Sequence, residues 1–305
     1  MRFLVVGPGA MGCLFAAHLK RSGYDVALLD YKPERAAHIN AQGILVEGVA
    51  GEHRVDVPVM TGRGPENPDF ALFCVKSYST MKAARAIAPW LSSETVVVTL
   101  QNGIGNLELL GEIFGTDRVI GGVTAEGATL ISPGRIRHAG RGQTALGPEK
   151  DGGPARRLAS ALNRAGFQAR TVENVDALLW GKLIVNVGIN ALTAITRLQN
   201  GRLLEFDGTL YVMEEAVKEA VAVAEAKRIK LPYSDPIGRV KEVCEATAGN
   251  IASMLQDVRR EKTTEIEAIN GAIVHHGKEL NIPTPVNATL TSLVKTIQES
   301  YSDQM

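Results

Sequence analysis

The sequence predicts an α/β domain built on a parallel sheet, followed by an all-helical domain, and three observations predict it. Up to about residue 170, continuous apolar runs of four to six residues alternate with helical stretches, the pattern of a sheet covered on both faces. The first run leads directly into a glycine-rich turn and a helix. From Val172 onward the apolar period becomes helical and few strands are expected. A chain of 305 residues is long enough for two such cores. The expected division is 1–170 for the α/β domain and 171–305 for the helical one.

Arg2 to Val6 reads as a short buried strand, and a helix starts near Ala10 and continues through Lys20. Between them, Gly7-Pro8-Gly9-Ala10-Met11-Gly12 has the spacing G-x-G-x-x-G. Gly7 permits the tight turn, Gly9 has no Cβ to hold off a pyrophosphate, and Gly12 lets the helix lie against the strand. Unsatisfied N–H groups at the helix start can hold a diphosphate. Strand, turn and helix together predict a Rossmann-type dinucleotide site. A purely structural turn is the alternative, because glycine turns also occur in sheets that bind nothing.

Val26–Leu29 is a second strand, followed by Asp30. Ala71–Val75 is another and ends in Lys76, while Val96–Leu100 ends in Gln101-Asn102-Gly103. Lys76 and Asn102 therefore stand at carboxyl ends of strands, where open α/β sheets bind ligands. Val119–Val123 opens a further stretch. The glycine-rich segments 43–51 and 134–147 read as antiparallel hairpins or edge strands.

In the second half, Leu178 to Asn190 reads as one buried helix. Residues 205–228 repeat apolar side chains every three or four positions. Ser234-Asp235-Pro236 is a cap and first turn, and helices are expected over 236–248, 261–277 and 285–300. Lys182, Asn186 and Asn190, at i, i+4 and i+8, share one face of an otherwise apolar helix. Buried amides need partners and a buried ammonium needs a counter-charge. The stripe either packs on polar backbone at a seam between the domains or faces a substrate, with Lys182 as acid and the amides holding oxygens. A ligand would lie in the cleft between the domains. Ser253 stands between apolar residues. Glu265, on the same side of an expected helix as Ile269, is a candidate partner for Lys182.

Lysine plus arginine and aspartate plus glutamate are 33 each, so the formal net charge is zero and no basic surface for nucleic acid is expected. Three cysteines in separate elements form no CxxC, and none of the six histidines lies in a metal-ligand pattern, so no metal site is expected. There is no nucleophile elbow and no P-loop lysine. Chemistry is therefore expected from a cofactor, with the protein supplying orientation and a proton. No run reaches the ~20 uninterrupted apolar residues of a membrane span, so a cytoplasmic protein without membrane contact is expected. Apolar faces in 205–228 and 285–300 leave room for a homodimer.

The chain resembles the 2-dehydropantoate 2-reductase (ketopantoate reductase) family over nearly its full length. The resemblance rests on G-P-G-A-M-G, the Val75-Lys76 strand end, Gln101-Asn102-Gly103, the run from Trp180 to Asn190, L-T-A-I with Asn200-Gly201, Asn250 to Asp257, and Thr264 to Gly271. It implies a Rossmann domain joined to a helical domain, and reduction of 2-dehydropantoate to (R)-pantoate with NADPH on the way to pantothenate and coenzyme A. It implies Lys182 as general acid, and Asn186, Asn190, Asn200 and Ser253 as holders of substrate oxygens. Glu265 would orient Lys182 or contact bound ligand. Residues 7–12 would hold the diphosphate, with Lys76, Asn102 and Gly127 also lining the cofactor site. Glycine at 127 departs from the alanine common in the family.

A second departure is Asp30, in Val26-Ala-Leu-Leu-Asp30-Tyr31-Lys32. An acidic residue here suits the ribose diol of NADH and repels a 2′-phosphate, unless it turns away and Lys32 or Arg35 compensates. NADPH remains the family-based expectation, with NADH the alternative. Two rival readings are a reductase of another branched 2-oxo acid and a non-catalytic dinucleotide-binding regulator.

Overall fold

The computed structural model describes residues 1–150 and 152–303. The chain divides into two compact units, one of Met1–Gln101 with Asn106–Val175, the other of Asn102–Gly105 with the residues from Asp176 onward. The division falls five residues beyond the expected 170/171, and the short segment after Gln101 groups with the helical unit.

The first unit runs β1 (Arg2–Val6), α1 (Ala10–Arg21), β2 (Asp25–Asp30), α2 (Pro33–Gln42), β3 (Ile44–Gly48), β4 (His53–Val55), β5 (Val59–Thr61), β6 (Phe70–Phe73) and α3 (Thr80–Ile87). It continues with β7 (Val96–Thr99), α4 (Asn106–Phe114), β8 (Val119–Thr124), β9 (Gly127–Ser132), β10 (Arg135–Gly140), β11 (Gln143–Gly147), α5 (Pro154–Arg164) and β12 (Gln168–Thr171). Eight strands form one sheet in the order β12-β11-β8-β7-β6-β1-β2-β5. All its pairings are parallel except β11 with β8.

The apolar strands β1 and β6 are buried on both faces, as a sheet sandwiched by helices requires. From β1 the chain crosses through α1 to β2 on one side, while β6 lies on the other. That reversal puts a ligand crevice at the carboxyl ends of β1 and β6. β6 stops at Phe73, two residues before the expected end, and Cys74 N–H makes a last bond to Val6 O at 2.9 Å.

The glycine-rich segments do form antiparallel hairpins, β3–β4 and β9–β10. They are not edges of the main sheet, however. β10 pairs in parallel with β3, giving a separate four-stranded sheet, β4-β3-β10-β9, while β11 returns to the main sheet. The smaller sheet shares a core with α1, where Ile44, Val46 and Ile136 join Phe15, Ala16 and Leu19.

The second unit holds α6 (Asp176–Thr196), α7 (Asp207–Ala226), α8 (Pro236–Ala246), α9 (Ser253–Arg259), α10 (Asn270–Leu280) and α11 (Pro285–Glu299). Its core is centred on Leu183, Ile184, Val187, Met213, Val217 and Ile273. Asp235 caps α8 by accepting from Gly238 N–H at 2.9 Å, with Pro236 in the first turn, as the sequence indicates.

The helix expected over 261–277 forms only from Asn270. Glu261 has φ +52°, a single 3-10 turn covers Ile266–Ala268, and Ile269 at φ −111°, ψ −95° delays α10 to Asn270. Glu265 and Ile269 therefore share no helix face. The helix α6, 21 residues long with an 18-residue window of mean hydropathy 1.5, is long and apolar enough to cross a membrane, contrary to a count of uninterrupted runs. Yet 67% of that window is buried inside the protein, as in a core helix.

Candidate active site

In the first unit the glycines form a cradle at the carboxyl end of β1. Gly7 has φ +103°, and a Cβ there would come within 2.7 Å of Val75 Cγ1. A Cβ on Gly12 would lie 2.0 Å from Gly7 O, so α1 can start against the strand only with glycine at this position. A Cβ on Gly9 would meet only Cys74 O, at 3.8 Å, so the protein leaves the space over this residue open. Gly9, at the N-cap of α1, makes no side-chain cap bond. With Pro8, Ala10 and Met11 completing the turn, this geometry fits a dinucleotide diphosphate held by main-chain N–H groups.

Gln101 braces the neighbouring strand end. Its Nε2 donates to Val75 O at 2.6 Å and to Thr80 Oγ1 at 2.8 Å, while its Oε1 accepts from Thr99 Oγ1 at 3.0 Å. The segment that carries Lys76 is thereby fixed to β7 and α3. Gly127 opens β9 with an ordinary φ, and a Cβ there would come no closer than 3.4 Å, to Gly140 N. Alanine would fit, so the departure at 127 leaves the backbone path unchanged.

Asp30 is buried, with its side chain 0% exposed, and both oxygens are engaged. Arg35 donates from Nε to Oδ2 at 2.5 Å and from Nη2 to Oδ1 at 2.6 Å, and Lys32 N–H donates to Oδ1 at 3.1 Å. This forked pair neutralises the carboxylate and raises the Arg35 pKa above its ordinary value. Beside it, the exposed Tyr31 ring is surrounded by cations. Lys32 Nζ, Arg35 Cζ and Lys82 Nζ lie 5.6, 5.7 and 5.8 Å from its centroid. Lys82, on α3, escaped the sequence reading because only the fold brings it to the end of β2.

In the second unit α6 presents Lys182 and Asn186, both half-buried, and Asn190, which is buried. Burial pulls the Lys182 ammonium down to about 8, and the charge of Glu265 acts in the opposite direction. Glu265 itself is only 7% exposed. Glu265 acts on Lys182 from a loop and not from the helix face expected for it. Tyr233 donates from its hydroxyl to Gly181 O at 2.8 Å, fastening the turn of α6 that carries Lys182.

Asn200 is buried, and its Nδ2 donates to Thr247 Oγ1 at 2.9 Å. Its Oδ1 is buried without a hydrogen-bond partner. Asn200 N–H donates to Asn250 O at 3.2 Å, which joins this residue to the segment leading into Ser253. Ser253 is half-buried in the first turn of α9. Asn102 belongs to the same unit, where the adjacent Gly103, at φ +81°, has space for no Cβ against Ala268 O.

Among the described residues, no group of three or more His, Cys, Asp or Glu is arranged to hold a metal ion. The three cysteines are unpaired, and burial pushes the thiols of Cys13 and Cys74 up to about 12, where they are inert.

The family profile described as ketopantoate reductase PanE/ApbA matches residues 3–151, and its C-terminal counterpart matches residues 174–298. The 2-dehydropantoate 2-reductase of Halobacterium salinarum is 36% identical, over 98% of this chain and 99% of the relative. The crystal structure of a PanE/ApbA family ketopantoate reductase from Ralstonia eutropha superimposes with TM-score 0.91 at 35% identity, covering 98% and 99% of the two chains. A ternary structure of D-mandelate dehydrogenase with NADH and anilino(oxo)acetate also gives TM-score 0.91, at 28% identity and the same coverage. These matches span both units, glycine cradle and polar helix alike, and the chain belongs to the ketopantoate reductase PanE/ApbA family, whose members are nicotinamide-dependent oxidoreductases.

Proposed function

We propose that this enzyme reduces 2-dehydropantoate to (R)-pantoate, with NADPH as cofactor and Lys182 as proton donor. The observation that carries the reading is an ammonium poised on an apolar helix beside a buried carboxylate. With a pKa of about 8, Lys182 is mostly charged at neutral pH yet close enough to it to release a proton readily. When bound, the nicotinamide supplies a hydride to C2 of the oxo acid. The carbonyl π pair moves to oxygen, Lys182 gives its proton to that oxygen, and the lysine regains a proton from water. Glu265 holds Lys182 in the charged form before transfer. Asn186, Asn190 and Ser253 hold the substrate's carboxylate and carbonyl oxygens. The unpartnered Oδ1 of Asn200 accepts the hydroxyl of the dehydropantoate side chain. Asn102 and Lys76 contribute to the cofactor site with residues 7–12 and Gly127. In this reading α6 is a core helix and the enzyme is cytoplasmic.

NADPH is favoured over NADH because Asp30, the residue that would accept the ribose diol, already has both oxygens engaged by Arg35 and the Lys32 amide. Lys32, Arg35 and Lys82 around Tyr31 supply the positive charge a 2′-phosphate requires. A second reading, an NADH-dependent reductase of another branched or aryl 2-oxo acid, is favoured by Asp30 itself and by the likeness to D-mandelate dehydrogenase. Following nicotinamide absorbance over a panel of 2-oxo acids, each with NADPH and NADH, separates the two. The highest kcat/KM is expected for 2-dehydropantoate with NADPH. A faster aryl oxo acid, or a marked preference for NADH, would replace this assignment with the second.

A further inference from the structure

Away from the glycine cradle, the four-stranded sheet meets α1 through three histidines. The ring of His18, on α1, lies 5.5 Å from that of His53 on β4 and 5.7 Å from that of His138 on β10, both edge-on at 77° and 86°. His18 Nδ1 is 3.1 Å from Ala165 O. A carbonyl only accepts, so Nδ1 carries the hydrogen and Nε2 of the neutral ring is bare. His138 Nε2 is 2.6 Å from Glu126 Oε2, and both side chains are 2% exposed. The carboxylate accepts there, which leaves His138 Nδ1 turned away from it. His18 Nε2, His53 Nε2 and His138 Nδ1 are all buried without a hydrogen-bond partner.

The charged groups around the cluster are few. Arg21, on α1, faces His18 and His53. Glu126, just before β9, is the acid facing His18, and its carboxylate already serves His138 and the Gly142 N–H at 3.3 Å. Arg164, at the end of α5, is turned over the Tyr24 ring. Phe167 closes the other side of His18, with centroids 5.0 Å apart.

We propose that the His18–His53–His138 cluster is an acid-released latch between α1 and the four-stranded sheet. A proton on His18 or His53 places a cation in a contact that already faces Arg21 and whose one carboxylate, Glu126, is engaged by His138 and the Gly142 N–H. Burial and Arg21 hold His53 down to about 4, and burial pulls His18 below its ordinary value. Both rings are therefore neutral in the folded state and take up protons near 6.5 once released. The stabilisation is complete above pH 6.5 and is lost as pH falls from there toward 4. Because α1 carries the glycine cradle and β9 begins at Gly127, opening of this contact loosens both elements.

The test is hydrogen–deuterium exchange on the full chain without cofactor, with rates corrected for intrinsic pH dependence. Between pH 7 and pH 5 the opening constant of segments 44–55 and 127–140 is expected to rise on the order of tenfold, with β7 unchanged. His18→Gln and His53→Gln should each reduce that rise. Equal opening at both pH values, or an undiminished rise in both variants, overturns the latch. Should the variants fail to fold, NMR titration of the wild-type imidazoles decides: His18 and His53 both titrating below the ordinary imidazole value support it, and either one at that value overturns it.

Discussion

The role proposed for Lys182 rests on its address. On an exposed helix face it would remain fully charged at any physiological pH, but on α6 burial lowers its pKa to about 8 while Glu265 resists the fall. Protonated lysine is the donor form, so kcat for reduction should decline as pH rises through about 8, and the decline should vanish with the residue. Lys182→Ala should lower kcat by ~10²–10⁴-fold, the usual worth of general-acid catalysis, with little change in cofactor affinity. Steady-state kinetics across pH 6–10 checks both points, and near-normal turnover in the variant would remove Lys182 from the reaction. The i, i+4, i+8 spacing with Asn186 and Asn190 made this residue legible because helical periodicity is local. Asn200 is different: its orphan Oδ1 follows from contacts with Thr247 and Asn250, which no spacing encodes.

At the scale of elements, the helical unit is held by two kinds of polar contact with different weights. The cap of α8 is local and exposed, and Asp235→Ala should cost about 1 kcal/mol. Asn287, fully buried on α11, instead donates to Ala216 O at 3.0 Å and Glu219 Oε2 at 2.7 Å, and accepts from Asn270 Nδ2 at 3.0 Å. Asn270 also donates to Val187 O, so one network ties α6, α7, α10 and α11 together. Asn287→Leu removes three side-chain bonds at the centre of this network and should cost clearly more than the cap, roughly 2–4 kcal/mol. Denaturant titration of the two variants side by side tests this, and equal losses would show that the network does not bear on stability. The Ser-Asp-Pro cap could be read from three adjacent residues, whereas Asn270 and Asn287 lie on separate helices. The late start of the helix expected over 261–277 has a related cause: its apolar spacing is helical, but Glu261 and Ile269 adopt backbone conformations that periodicity does not report.

For the whole molecule, the parallel sheet was legible because each strand–helix unit is contiguous in the chain. The four-stranded sheet was not, since its central pairing sets Leu45 beside Arg135. The cation cluster at Tyr31 divides in the same way, with Lys32 and Arg35 close in sequence and Lys82 delivered by α3. That cluster makes cofactor choice a property measurable on the intact protein. A ligand at 100 times its Kd stabilises the state that binds it by about 2.7 kcal/mol, which raises Tm by roughly 5–10 °C in a unit of this size. At equal concentrations, NADPH should therefore raise Tm more than NADH does. Arg35→Ala frees the Asp30 carboxylate beside the same site and removes one of the three cations, so in this variant the order should narrow or reverse. Thermal scans of wild type and variant with each cofactor read the effect without turnover. An unchanged difference between the two cofactors in Arg35→Ala would show that the Asp30–Arg35 pair does not set the preference.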